Sequence, residues 1–217
     1  MAFQKKNGSV VWKTHTDKQG YSTPIGVTVN GVRQILVFTG TTLVSVSPQG
    51  NVLWKYPWRT SYDANIASPI FVAPDKVFIS SSYDVGAALL QIKGNEVQEI
   101  WKSRIMKNHF NSSIVDGNNL YGFDDATLKC IDVLTGAEKW KQSGFGKGSL
   151  ILADGHLIVL SERGKLALVE ATPTAYKEVA SFQALDGKCW TMPTLANGKL
   201  YLRNQKSLVS LDLKAAN

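Results

Sequence analysis

Four polar residues in two loops have the types and spacing that could hold a metal ion. Asp63 and Asn65 lie two positions apart in one loop, and His109 and Asn111 lie two positions apart in another. Mixed oxygen and nitrogen ligands of this kind suit a divalent cation, which would activate water to hydrolyse an ester, a lactone or a phosphoester. Alternatively, His109 acts as a general base that Asp63 orients. Both interpretations predict a hydrolase: in the first, all four residues are metal ligands, and in the second, His109 and Asp63 are the catalytic residues.

A second set of loop residues favours binding without catalysis. Its cationic and aromatic side chains suit a small anionic or polyhydroxylated ligand, or a protein partner. The set comprises Lys107, Lys147, Lys188, Arg163, Arg203, Trp58 and Trp190. Asn and Asp residues near strand starts also satisfy backbone groups in turns, so a purely structural role of the polar loop residues stays open. Of the functional readings, we favour a binding or scaffold module over the hydrolase.

Composition and charge narrow the class of protein. The 217 residues are 44% hydrophobic and 19% charged, which is ordinary for a globular chain. The net charge is +7, but lysines and arginines are scattered without a basic run, so no nucleic-acid partner is expected. No apolar stretch is long enough for a membrane span, and the first residues lack the apolar core of a signal peptide.

The two cysteines and the other two histidines give little further indication of function. Cys130 and Cys189 are far apart and match no metal or disulfide spacing. We expect Cys130 to be a buried thiol in a strand and Cys189 to be a candidate reactive thiol in a loop. His15 and His156 are expected to be solvated.

The elements that must position these side chains are short strands in a repeat. Trp12, Trp54, Trp101 and Trp140 each precede a lysine, and their intervals of 42, 47 and 39 residues are typical of propeller blades. Because these tryptophans follow the repeat, we expect them to pack between blades. No stretch has helical periodicity, so the fold class is all-β.

Five repeats are predicted, each opening with a short strand that leads through a tight turn. Four of the five turns contain Asn-Gly or Asp-Gly, the dipeptides favoured by two-residue hairpins. The repeats span residues 22–56, 67–102, 111–141, 148–182 and 191–213. The fifth lacks a fourth strand, and residues 8–13 have the sequence of one. The prediction is a single propeller domain over residues 1–217, with five four-stranded blades and the last blade closed by strand 8–13. If the ring is open instead, a homo-oligomer would cover its edges.

The most complete repeat, Ser112 to Trp140, contains Asp116-Gly117, Leu120-Tyr121-Gly122-Phe123 and Asp132-Val133-Leu134-Thr135-Gly136. In this pattern the chain resembles the pyrroloquinoline-quinone-like repeat family, which includes quinoprotein alcohol dehydrogenases and the outer-membrane assembly lipoprotein. Members usually have seven or eight blades and are often periplasmic or exported, so the resemblance implies the C-terminal part of a longer member. The dehydrogenases hold their quinone beside adjacent cysteines, which this sequence lacks. Pyrroloquinoline quinone is therefore not expected as a cofactor, and a divalent metal is the only one the residues suggest.

Overall fold

The computed structural model describes residues 1–213, so the last four residues of the predicted domain lie outside it. The described chain forms twenty-one β-strands and no helix, which confirms the all-β fold class. No helix in this range is therefore long and apolar enough to cross a membrane. The chain divides into two compact units, unit 1 (Met1–Lys107) and unit 2, which begins at Asn108.

Unit 1 contains three antiparallel sheets. The first, of two strands, joins β1 (Ala2–Phe3) to β2 (Val10–Trp12). The next has four strands in sequence order, β3 (Ile25–Val29), β4 (Val32–Phe38), β5 (Thr42–Val46) and β6 (Val52–Pro57). The third has β7 (Ile70–Val72), β8 (Lys76–Ser81), β9 (Gly86–Lys93) and β10 (Glu96–Ser103), again in sequence order.

Unit 2 contains three more antiparallel sheets with the same simple order. One holds β11 (Ile114–Asp116), β12 (Asn119–Asp124), β13 (Thr127–Asp132) and β14 (Glu138–Gln142). The next holds β15 (Ser149–Ala153), β16 (His156–Leu160), β17 (Lys165–Glu170) and β18 (Glu178–Gln183). The last described sheet has three strands, β19 (Thr194–Ala196), β20 (Lys199–Arg203) and β21 (Leu208–Asp212).

The predicted hairpin turns are present. Asn30-Gly31, Asp154-Gly155 and Asn197-Gly198 each form a two-residue loop in which both residues have positive φ, between 46° and 79°. This is the type I′ geometry, whose twist matches that of the flanking strands. The fourth dipeptide, Asp116-Gly117, is shifted by one position relative to its loop. The two loop residues are Gly117 and Asn118, and of these only Gly117 has a positive φ.

Each unit buries its own apolar residues between successive sheets. In unit 1, Leu36, Phe38 and Trp54 of the first four-stranded sheet pack with Val77 and Leu90 of the second. In unit 2, one core joins the sheets of β11–β14 and β15–β18, and another joins β15–β18 to β19–β21.

Two of the four repeated tryptophans are buried and pack as the repeat predicts. Trp54 and Trp140 are 5% and 8% exposed. Their indole nitrogens donate to Gln34 Oε1 at 3.0 Å and to the carbonyl oxygen of Thr172 at 2.7 Å. Trp12 and Trp101 are only partly buried.

The N-terminal strand has a partner that was not predicted. β2 pairs with β1 in a two-stranded sheet, and among residues 1–213 the last sheet contains β19, β20 and β21. A turn links β1 to β2, with Gly8 at φ 74° and its amide bonded to the carbonyl of Gln4 at 2.8 Å. Closure of the last blade by strand 8–13, the count of five blades and the single domain stay predictions.

Candidate functional site

A cluster of aromatic and charged side chains lies where four loops of unit 2 meet. Three of the loops connect two strands, and they are residues 143–148, 161–164 and 184–193. The fourth is residues 108–113, which precede β11. We call this group the Trp190 cluster. Its members are His109, Phe110, Lys147, Glu162, Lys188 and Trp190.

Trp190 is exposed and yet fixed in position. Its indole nitrogen donates to Glu162 Oε1 at 3.0 Å, and its ring lies 4.9 Å from that of Phe110 at an interplanar angle of 37°. The ammonium of Lys188 lies 4.1 Å from the ring centroid, a cation–π contact. The side chain nevertheless remains 43% exposed, so part of it faces solvent.

Glu162 connects its own loop to two of the other loops through hydrogen bonds. Its Oε2 accepts a hydrogen bond from the Lys147 amide at 3.3 Å, while its own amide and carbonyl bond to Phe145 and Cys189, each at 2.8 Å. Gly146 makes the approach feasible: it has φ 63°, and a Cβ there would lie 2.6 Å from Glu162 Oε2. Glu162 is not in the predicted ligand-binding set, although its loop is; its position beside the predicted residue Arg163, in the turn between β16 and β17, is the signal that could have added it.

His109 packs at the edge of the cluster, 5.4 Å from the Phe110 ring and 6.4 Å from the Trp190 ring. Burial lowers its pKa, and the charge of Lys147 lowers it further against smaller opposing effects of Asp125 and Glu162. The cleft beside the imidazole has a volume of only about 10 Å³. That is about the space of one water molecule.

The remaining residues of the predicted metal set have structural partners. Asn111 Nδ2 donates to the Gly148 carbonyl at 2.7 Å in unit 2. In unit 1, Asp63 Oδ2 accepts from Lys18 Nζ at 2.6 Å. Asn65 is fully buried and its amide bonds protein groups on both sides.

In the described part of the chain, no three His, Cys, Asp or Glu side chains are placed to hold a metal ion together. Two members of the predicted set are asparagines, and metal binding by Asp63, Asn65, His109 and Asn111 stays a prediction. So does catalysis by His109 and Asp63.

The structure brings together only part of the predicted ligand-binding set. Lys147, Lys188 and Trp190 belong to the cluster, and Arg163 follows Glu162 in the same turn with its side chain exposed. Arg203 is exposed at the end of β20, and Lys107 is half-buried in unit 1.

Trp58 differs most from the expectation of a stacking surface. It is 2% exposed, and its indole nitrogen donates to Ser81 Oγ at 3.1 Å. It therefore presents no open face to a ligand.

Two expectations about reactive groups are wrong. Cys189 is fully buried, and burial raises the pKa of its thiol, so it is not a reactive loop cysteine. The side chain of His15 is 11% exposed rather than solvated, because the N-terminal segment lies against the first four-stranded sheet. Cys130 is buried in β13 as expected.

Successive four-stranded antiparallel sheets, each made from consecutive strands, are the blades of a β-propeller protein. The family model described as outer membrane protein assembly factor BamB matches residues 1–142. The chain belongs to this family, which confirms the resemblance inferred from its repeats.

Two solved structures are similar to this chain. BamB from Moraxella catarrhalis aligns with a TM-score of 0.65 and 15% identity, over 95% of this chain and 62% of that chain. The computationally designed Ika8 protein aligns with a TM-score of 0.54 and 10% identity, over 90% of this chain and 71% of that one. The chain thus spans less than two thirds of the BamB structure. No curated protein matches the sequence.

Proposed function

We propose that the chain is a non-catalytic binding module that holds a protein partner at the Trp190 cluster. The observation behind the proposal is that Trp190 is 43% exposed while its indole nitrogen is hydrogen-bonded and its ring is packed. A side chain ordered before binding loses little conformational entropy when a partner arrives. Exposed tryptophans in such settings are the residues that most often dominate the energy of protein interfaces.

The surroundings favour an acidic partner segment with an apolar side chain. Lys188 and Arg163 are exposed beside the cluster, and Met192, two residues after Trp190, is 51% exposed. The apolar side chain would contact Trp190 and Met192, and the carboxylates would meet the two cations. The net charge of +7 would attract such a segment from a distance.

Both the loop positions and the family support a protein partner. In a propeller, the loops that enter the inner strands gather at one mouth, and three of the four loops of the Trp190 cluster precede the first strand of a sheet. The family model is described as an assembly factor, a role that depends on protein contacts. The hydrolase has no comparable support, because the cleft beside His109 has a volume of only about 10 Å³.

The test uses two synthetic peptides of equal length, one alternating Asp with Leu and one alternating Lys with Leu. The indole N–H resonance of Trp190, assigned with Trp190→Phe, reports binding by NMR titration. We expect the acidic peptide to shift this resonance and Trp190→Ala to weaken its affinity about tenfold or more. Tyr21→Ala, which removes a 68% exposed aromatic ring of unit 1, is the matched control and should leave the affinity unchanged.

Three results would contradict the proposal. The two peptides could bind equally well, or Trp190→Ala could behave like the Tyr21→Ala control. If inorganic phosphate alone shifts the Trp190 resonance as the acidic peptide does, the site binds small anions and not a protein segment.

A further inference from the structure

Unit 1 contains a cavity of about 380 Å³ that is separate from the Trp190 cluster and plays no part in the proposed function. It lies between the N-terminal segment and one face of the first four-stranded sheet. Ile35, Val37, Val44 and Val46 line the sheet side. Leu36 alternates with Ile35 and Val37 along β4 and belongs to the core on the opposite face. The cavity wall is therefore apolar on this side.

Trp12 forms a fixed wall on the other side. Its indole nitrogen donates to the Pro48 carbonyl at 3.0 Å. Its ring lies so close to Gly50, which has φ 91°, that a Cβ at that position would be 2.8 Å from the ring. The cavity is thus bounded by a packed aromatic ring, and its volume falls in the range of about 300–1,000 Å³ usual for small-molecule sites.

One end of the cavity carries a buried negative charge. The side chain of Asp17 is 11% exposed and accepts hydrogen bonds from the hydroxyls of Thr39 and Thr41 and from the Lys18 amide. Burial alone would raise the pKa of this carboxyl, but the hydrogen bonds outweigh burial and hold the pKa well below its usual range. The ammonium of Lys18 pairs instead with Asp63 at 2.6 Å.

His15 lies beside this carboxylate with an unused hydrogen-bonding atom. Its Nε2 is buried, has no hydrogen-bond partner within residues 1–213, and lies 3.8 Å from Asp17 Oδ2, too far for a hydrogen bond between them. His15 also has φ 50°, a conformation that non-glycine residues adopt rarely and often at functional positions. With its proton on Nδ1, the imidazole offers Nε2 as an acceptor next to the carboxylate.

We propose that this cavity binds a small primary ammonium compound with an apolar body. An ammonium has three N–H donors and a positive charge, so it can donate to both His15 Nε2 and Asp17 Oδ2 and neutralise the buried carboxylate. Its apolar body contacts Trp12 and the valines of the sheet. An alcohol supplies one donor and no charge, and a carboxylate is repelled by Asp17.

Three compounds with the same apolar body test this selectivity. Binding of 2-phenylethylamine, 2-phenylethanol and phenylacetate to the full chain is measured by calorimetry at neutral pH. We expect the amine to bind about tenfold or more tightly than the alcohol, and phenylacetate to show no binding. Equal affinity of the amine and the alcohol, or no binding of the amine at millimolar concentration, would overturn the proposal.

Two substitutions in β4 show whether binding occurs in this cavity. Val37→Phe places a larger side chain in the cavity and should weaken amine binding about tenfold or more, whereas Val32→Phe, at a 50% exposed position outside the lining, should not change it. Retained affinity in Val37→Phe would refute the assignment.

Asp17→Asn should remove the preference for the amine over the alcohol. Circular dichroism shows whether this variant folds, because Asp17 also accepts three hydrogen bonds. If it does not fold, the ligand series and Val37→Phe decide the question.

Discussion

Substitutions of Asn65 test whether the polar loop residues stabilise the fold or bind a metal ion. Its side chain is fully buried; Nδ2 donates to the carbonyls of Thr39 at 2.9 Å and Gly40 at 3.1 Å, and Oδ1 accepts from Ser81 Oγ at 2.7 Å. Asn65→Ala removes these three hydrogen bonds, together with a longer one from Nδ2 to the Trp58 carbonyl at 3.3 Å, and leaves their partners buried. Each loss costs about 1 kcal/mol or more, so we expect the free energy of unfolding to fall by about 3 kcal/mol.

Asn65→Asp is the more decisive change because it keeps the size of the side chain and an oxygen ligand. A carboxylate has no N–H group, so it would face the carbonyls of Thr39 and Gly40 with an acceptor. We therefore expect Asn65→Asp to destabilise the protein about as much as Asn65→Ala. If Asn65 were a metal ligand, Asp in its place would still bind the cation, and stability would be retained when metal is present.

Urea denaturation followed by tryptophan fluorescence measures both variants. With a denaturant slope of about 2 kcal/mol per molar, a loss of about 3 kcal/mol lowers the midpoint by about 1.5 M. Asn118→Ala, in an exposed hairpin turn, is the control and should change stability by less than about 0.5 kcal/mol. The structural role would be refuted if Asn65→Asp unfolded at the same urea concentration as the wild-type protein. It would also be refuted if EDTA lowered the urea midpoint of the wild-type protein.

Gly164→Ala should lower the free energy of unfolding by about 2 kcal/mol or more, measured by thermal denaturation, because φ is 90° and the new Cβ would lie 1.9 Å from the Leu185 carbonyl oxygen. Neither Cys130 nor Cys189 should react with a disulfide reagent in the folded protein, since burial raises the pKa of both thiols, that of Cys130 to about 11; both should react in urea. Hydrogen bonds from neighbouring hydroxyls and a lysine lower the pKa of Glu178 to about 2 from 4.5, so its carboxylate stabilises the folded state above pH 4.5 and loses this effect as the pH falls towards 2. The melting temperature of Glu178→Gln should therefore lie below that of the wild type at pH 7 and approach it at pH 2.

A control variant or a contradicting result tests each of these three predictions. Gly94→Ala has φ 62° but open space around the new Cβ, so it should cost only about 1 kcal/mol; equal losses would contradict the clash at Gly164. A thiol that reacts as fast before unfolding as after it would contradict the burial of the cysteines. A difference in melting temperature that stays constant from pH 7 to pH 2 would show that Glu178 acts through packing and not through its charge.

The strands and turns could be predicted because they depend on residues close together in the sequence. Asp154-Gly155 and Asn197-Gly198 need only their own backbone preferences to form a two-residue loop. The apolar residues that flank each loop then determine which strand face points to the core. The pairing of β2 was missed although its partner β1 is also close in sequence, because Ala2-Phe3 is too short to show a strand pattern.

The burial of loop side chains could not be predicted, because it depends on residues far apart in the sequence. Trp58 and Trp190 both occur in polar loops, and the sequence gives no reason to treat them differently. Trp58 meets Ser81 in a core between two sheets, whereas Trp190 meets Glu162 at the surface. Only the fold distinguishes them, so the first is a core residue and the second a candidate contact for a partner.

The order of the strands has a consequence for how such a chain can arise. Every strand in the described sheets pairs only with its immediate neighbours in sequence, so no sheet needs a strand from a distant part of the chain. Hydrogen bonds within the sheets therefore join strands that are adjacent in the sequence. A gene segment that encodes four successive strands can be duplicated or lost without dividing a sheet. Propellers of different blade number can thus evolve by whole steps of one sheet, each step leaving the other sheets intact.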